Sequence, residues 1–267
     1  MSRQVNRIQG TLFDLPKVGL ATERPSKLLM RNSRLRRDPE RIWNWTLPAL
    51  AAVLPSGRKI VTCPSASTCA DICYALFGTY RFRNVLERHV ANLRFVVEDL
   101  EGWEQSMRAE LASRRFRHAA VRIHDAGDFF TDSYLAAWLR IIAARPETFF
   151  YAYTKEVSRF KRMVEPQPPP NLAWVYSLGG KHDALLDPAT DRVADVFPTE
   201  AAISQAGWHS QATSDLLAVQ GPSPVGMSVN RIPTAVRLLG NRTLGQMQQE
   251  SDRRKRALRA SRRGEPR

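Results

Sequence analysis

Cys63, Cys69 and Cys73 are the only cysteines in the chain, and they fall within eleven residues. Their spacing is Cys-x5-Cys-x3-Cys. Thiolates are soft metal ligands, and an odd number crowded together makes a poor disulfide framework, so the pattern predicts a metal site. If a helix begins near Thr68, Cys69 and Cys73 lie one turn apart on one face. Cys63, at the end of a predicted strand, then folds back so that three sulfurs converge. A structural zinc ion wants a fourth protein ligand, and His89, His118, His124, His182 and His209 are the histidines available. An iron–sulfur cluster of the 4Fe–4S type accepts three thiolates and leaves one iron for another ligand. The cluster is the favoured expectation, with zinc as its alternative.

Three further groups could carry chemistry. In Arg122-Ile123-His124-Asp125-Ala126-Gly127-Asp128, ionisable residues gather where a predicted strand ends. His124 or Asp128 there could act as cluster ligand, general base or substrate contact, against plainer roles as a loop residue or a helix N-cap. Tyr151-Ala152-Tyr153-Thr154-Lys155 ends another strand, with Lys155 suited to an anion and Tyr153 to stacking on a base. Gly179 and Gly180 follow a third, where a missing side chain permits close approach of a bound cofactor. The expected catalytic set is His124, Asp128 and Lys155, and the expected cofactor contacts are Gly179 and Gly180.

These groups need a frame, and the hydrophobic periodicity supplies one. The segment 58–62 reads as a strand leading into the cysteine loop. Leu86, Val90, Leu93, Val97 and Leu100 form a helical stripe, and a second helix runs from Trp103 to about Ser113. Strands then alternate with helices: strand 119–124, a helix capped by Thr131 or Ser133, strand 148–153, helix 156–164, strand 172–177, a weaker strand 192–197, and helix 199–206. Alternation of this kind predicts an α/β fold of mostly parallel strands, as a partial or complete barrel or an open sheet. Ligands gather at the carboxyl ends of parallel strands, which places all four groups on one edge.

The 267 residues are 43% hydrophobic and carry a net charge of +14, 40 basic against 26 acidic. Residues 1–41 hold ten basic against four acidic side chains and residues 251–267 hold eight against two, so each end carries +6 and the middle only +2. Basic termini attract polyanions. Arg253, Arg254, Lys255 and Arg256 are therefore expected nucleic-acid contacts. The expected organisation is a basic arm over 1–41, a metal-cluster domain over 42–240, and a basic helix or tail over 241–267. No apolar run is long enough for a membrane span and no secretory signal opens the chain, so a cytoplasmic protein is expected.

The cysteine loop after a strand, followed by polar strand ends, resembles the radical S-adenosylmethionine barrel. That superfamily typically spaces its cysteines Cys-x3-Cys-x2-Cys, and both intervals here are longer. The order of the cysteine run, Val121-Arg122-Ile123 with Gly127 and Asp128, and Tyr151-Ala152-Tyr153-Thr154-Lys155 is more similar to a phage family called gene product eighty-eight. The likeness covers roughly residues 25–200 and implies a phage or prophage origin. The first resemblance implies a barrel-like fold, an iron–sulfur cluster and S-adenosylmethionine as a cofactor. Three functions follow: an iron–sulfur protein acting on or binding nucleic acid, a radical enzyme on an unknown substrate, and a zinc-stabilised interaction module.

Overall fold

The computed structural model describes residues 24–229 and 232–263. Its centre is a seven-stranded sheet in the order β1-β4-β5-β6-β7-β9-β8, and every pairing is parallel. The strands are β1 (Ile42–Trp45), β4 (Ala120–Ile123), β5 (Phe149–Thr154), β6 (Leu172–Ser177), β7 (Val193–Phe197), β9 (Val225–Ser228) and the short β8 (His209–Ser210). β2 (Ala51–Val53) and β3 (Lys59–Val61) form a separate antiparallel hairpin. From β1 to β9 the sheet follows chain order without reversal. Among the described residues no pairing joins β1 to β8, so the complete barrel among the expectations is corrected to an open sheet.

The helices α1 (Arg83–Glu98), α2 (Leu100–Leu111), α3 (Asp132–Ala143) and α4 (Val157–Met163) cover one face of the sheet. Their local signals are plain. Asp99 caps α2 by accepting the Gly102 N–H at 2.9 Å, and Thr131, not Ser133, caps α3 by accepting that of Tyr134 at 3.2 Å. Alternation along β5 sends Phe150 and Ala152 to this face and Tyr151 and Tyr153 to the other. The covered face is largely aromatic: Trp45, Trp103 and Trp138 are fully buried, with ring centroids 5.2–6.5 Å apart in tilted and edge-on contacts. Such pairs add about 0.5–1.5 kcal/mol each beyond the area they bury.

The opposite face is closed by short segments, including Leu35 and the four-residue α6 (Leu217–Gln220). α5 (Glu200–Gln205) is capped by Thr199, and Pro233 opens α7 (Pro233–Leu239). The 20-residue α8 (Leu244–Arg263) starts against the body with Leu244 buried and runs into an exposed basic stretch. Among the described residues no helix is long and apolar enough to cross a membrane.

Two expectations change here. The strand over 58–62 belongs to the hairpin, while the main sheet begins at β1, whose Ile-Trp-Asn-Trp run gives no clean alternation signal. The described part of the amino-terminal segment packs on the body instead of standing off it: Leu28, Leu29 and Leu35 are buried. The main-chain N–H groups of Leu28 and Leu29 donate to the Glu110 carboxylate at 2.6 and 3.3 Å. Its first 23 residues, within the expected arm, lie outside the described residues.

Candidate functional site

The cysteine loop lies across the carboxyl ends of β4, β5 and β6, the edge on which all four sequence groups were expected. Its contacts are mostly main-chain. Thr62 O accepts the Asp128 N–H at 2.8 Å, and the Cys69 N–H donates to Gly179 O at 3.1 Å. Ala66 bridges Gly180, and the Ser65 N–H donates to the Glu156 carboxylate at 3.0 Å. From the far side, Gln248 of α8 accepts both the Thr68 N–H and its hydroxyl, at 3.1 and 2.8 Å. Ile72 and Cys69 pack with Ala235, Leu239 and Leu244 into a small apolar cluster under α7 and α8.

Within the loop, local geometry departs from expectation. Thr68–Ile72 is a 3-10 turn, and Cys73 follows it with ψ 114°. A 3-10 turn repeats every three residues, so Cys69 and Cys73 do not share a face as they would on an α-helix. All three cysteines are free and half-buried. Among the described residues no group of three His, Cys, Asp or Glu side chains could hold a metal ion as arranged, so the expected convergence on one point is not present. The thiols do feel one another: burial, then the Asp128 carboxylate, and more weakly the other two cysteines, push Cys63 far up. Burial raises Cys69 while the Lys155 ammonium opposes it, and burial lifts Cys73 to about 11 against the N–H group of Ala75. Left alone the sulfurs stay protonated; a bound metal would supply the positive charge that ionises them. His182 is brought to this loop, its Nδ1 3.5 Å from Ser65 Oγ.

Asp128 is buried and acts as a clasp between strands. Its carboxylate accepts from the Phe129 N–H at 2.9 Å, the Thr154 hydroxyl at 2.7 Å and the Lys155 N–H at 2.9 Å. Burial and the neighbouring Glu156 carboxylate lift it to about 6. The N-cap role belongs to Thr131 instead. Lys155 sends its ammonium to Ser177 O, Ser177 Oγ and Leu178 O at 2.7–3.0 Å, joining β5 to β6. His124 lies in the aromatic core, 2% exposed, with Nε2 2.9 Å from the Tyr134 hydroxyl and its ring edge-on to Phe129. Burial lowers its pKa to about 3, so the ring is neutral. Gly179 and Gly180 serve the loop itself. A Cβ on Gly179, at φ +97°, would stand 2.5 Å from Leu244 Cγ, and one on Gly180 would stand 3.2 Å from Ser65 O. Both N–H groups donate to Asp183, at 2.7 and 2.9 Å.

A buried network beside this edge was not anticipated. Arg122 of β4 meets the Asp215 carboxylate at 3.1 and 3.3 Å, and that carboxylate also accepts the Tyr151 hydroxyl at 2.7 Å. Burial works against the Arg122 charge, but Asp215, followed by Tyr74 and Asp125, holds it well in place. Asp125 takes the Tyr80 hydroxyl and, at 3.0 Å, the Asn32 amide. A lone arginine between Val121 and Ile123 was the available signal for this network. Asp215 sits in a segment with no periodicity, and nothing in its neighbourhood marks it.

Arg253, Arg254, Lys255 and Arg256 are all exposed on α8. Their acidic neighbours are loose, with Arg254–Glu250 at 3.9 Å and Lys255–Asp252 at 3.5 Å.

The family model described as Gene product 88 matches residues 26–260. Over 120 residues the chain is 33% identical to the Gene 88 protein of Mycobacterium phage L5, covering 38% of this chain and 46% of that protein. Over 120 residues it is 31% identical to the Gene 88 protein of Mycobacterium phage D29, covering 38% of this chain and 45% of that one. The chain thus spans less than half the length of these relatives. No solved structure gives a significant match. These likenesses do not extend to the radical S-adenosylmethionine superfamily.

Proposed function

The chain belongs to the gene product 88 family, and from that membership and the docked cysteine loop we propose a phage-type iron–sulfur protein that binds or acts on nucleic acid. One observation carries the reading. The three cysteines occupy a single loop held on three strand ends by Asp128, Glu156, Gly179 and Gly180, a large investment of polar contacts in the twelve residues 62–73. The cluster would be a 4Fe–4S group held by Cys63, Cys69 and Cys73, and it would supply redox chemistry or an open iron. A four-iron cube spreads its thiolates over its corners, so it asks less convergence of the loop than one zinc ion does. Lys155, within electrostatic reach of Cys69 and Cys73, offsets the negative charge of such a group. In this reading Asp128 and Lys155 are positioning residues that lock the strand ends under the loop, His124 is part of the core, and the cations of α8 meet phosphate.

A radical enzyme using S-adenosylmethionine is the second reading, favoured by the chain-ordered parallel sheet with its cysteine loop at the carboxyl edge, which is compatible with a partial barrel. Anaerobic purification with iron and acid-labile sulfide analysis tests the first. A brown protein with about four irons and four sulfides per chain is expected for a 4Fe–4S group. A colourless protein with one zinc per chain overturns it. Reductive cleavage of S-adenosylmethionine by the loaded protein separates the second reading from the first.

A further inference from the structure

The basic amino-terminal segment ends in a cavity unrelated to the cysteine loop or α8. It has a volume of about 320 Å3 and is lined by Lys27, Arg31, Arg36, Arg88 and Arg115 together with Leu29, Met30 and Trp43, with no acidic side chain in its wall among the described residues. Glu110 lies behind it, engaged by Arg115 at 3.1 Å and by the N–H groups of Leu28 and Leu29. Among the described residues, five positive charges around one cavity face a single carboxylate.

Two of the guanidinium groups are fixed by main-chain carbonyls, which orient a charge without cancelling it. Arg31 Nη2 donates to Leu35 O and Arg88 Nη2 to Lys27 O, each at 2.7 Å. That leaves the Nε–H of both Arg31 and Arg88 buried with no acceptor among the described residues. Buried donors are nearly always satisfied, and these two belong to side chains that line one cationic cavity, where acceptor oxygens of a ligand would suit them. Trp43 narrows the chemistry. Its ring is half-buried, edge-on to Phe116 on one side and with the Arg115 guanidinium 5.1 Å from its centroid. An indole beside a cluster of arginines matches a base and its phosphate in one unit. The volume lies at the small end of ligand pockets, which run from about 300 to 1,000 Å3, enough for one nucleotide and too little for a duplex.

We propose that this cavity, set where the amino-terminal segment crosses edge strand β1 and α1, binds the phosphate of one nucleotide of a single strand, with the base against Trp43. It shares with the reading above only the nucleic-acid ligand, and it stands whether or not a cluster is bound.

The test uses the full chain and a fluorescein-labelled ten-thymidine strand followed by anisotropy, with thymidine 5′-monophosphate and inorganic pyrophosphate as competitors. Lys27→Glu/Arg36→Glu reverses two exposed cations and is expected to weaken strand binding at least about tenfold, and to lower the salt slope by about 1.4, at about 0.7 per phosphate contact. Arg88→Gln, checked for folding by circular dichroism, is expected to weaken it in the same sense. Arg58→Glu/Lys59→Glu, which reverses two exposed cations on the β2–β3 hairpin, is expected to leave strand and monophosphate binding intact, which separates the pocket from charge alone. Unchanged strand affinity in both folded pocket variants overturns the proposal. Competition by pyrophosphate as strong as by the monophosphate overturns the assignment of a base to Trp43.

Discussion

Replacing Gly179 by alanine puts a methyl group where Leu244 already sits. The added Cβ would lie 2.5 Å from Leu244 Cγ and 2.7 Å from Cδ2, at a backbone φ of +97°. Two costs add. Holding a non-glycine residue in a sparsely populated conformation costs about 1–3 kcal/mol. Forcing a methyl group into a packed contact costs about 1–3 kcal/mol more. The expected loss is about 2–6 kcal/mol, read as a lower urea midpoint with an unchanged slope. The carbonyl of Gly179 accepts from the Cys69 N–H, so the displacement reaches the loop, and the iron content of anaerobic protein is expected to fall with it. A double-mutant cycle separates the two costs. With Leu244→Ala the contact disappears, and Gly179→Ala is expected to cost only its backbone share. An equal cost in both backgrounds acquits Leu244. A change within about 0.5 kcal/mol of wild type, the range of an ordinary surface substitution, refutes the docking role of Gly179 altogether.

Asp215→Asn leaves the Arg122 charge without its main partner, and a broken buried pair costs about 3–5 kcal/mol by chemical denaturation; a loss below about 1 kcal/mol would remove the pair from the core's support. His89 and His124 are buried neutral, lowered by burial to about 4 and about 3. Below pH ~6.5 the unfolded chain binds protons that the folded chain refuses, so each destabilises the fold as the solution is acidified. Asp128 and Asp195, raised by burial to about 6, act in the opposite sense between pH 6 and 4. His89→Gln isolates one contribution: relative to the variant, wild type is expected to lose about 2 kcal/mol between pH 7 and 5. A parallel pH profile for the two proteins contradicts this. Removing Arg253, Arg254, Lys255 and Arg256 together is expected to lower the salt slope of single-strand binding by about 3, at about 0.7 per phosphate contact. An unchanged slope takes α8 out of the interface.

Much of the frame was readable because helices and strands announce themselves locally. The stripe through Val90 and Leu93, the Thr131 cap and the apolar run at Phe150 each depend on neighbours within a few residues. β1 escaped because its four residues carry two tryptophans and an asparagine, and their burial is decided by α2 and α3 far along the chain. The same limit applies at the site. The strand-end position of Asp128, Lys155 and Gly179 was legible, but their partners were not. Asp128 clasps Thr154 and Lys155, and Gly179 yields to Leu244, through contacts that exist only once the sheet has formed. His124 looked like a reagent because a histidine at a strand end resembles one; Tyr134 and Phe129, which enclose it, come from the following loop and helix.

The attachments of the cysteine loop also set an order of events during folding. Ser65 finds Glu156 across 91 residues of chain, Lys181 reaches back to Pro64 across 117, and Gln248 closes on Thr68 across 180. Contacts of such sequence separation bear the largest loop-closure entropy and form after the local helices and adjacent strand pairs. Cys69, which packs under α7 and α8, is therefore expected to stay open to oxidants and stray metal ions until α8 has docked. The helix that presents the basic surface thus also covers the Cys69 end of the loop, so a slow step in its docking sets how long that thiol remains unguarded.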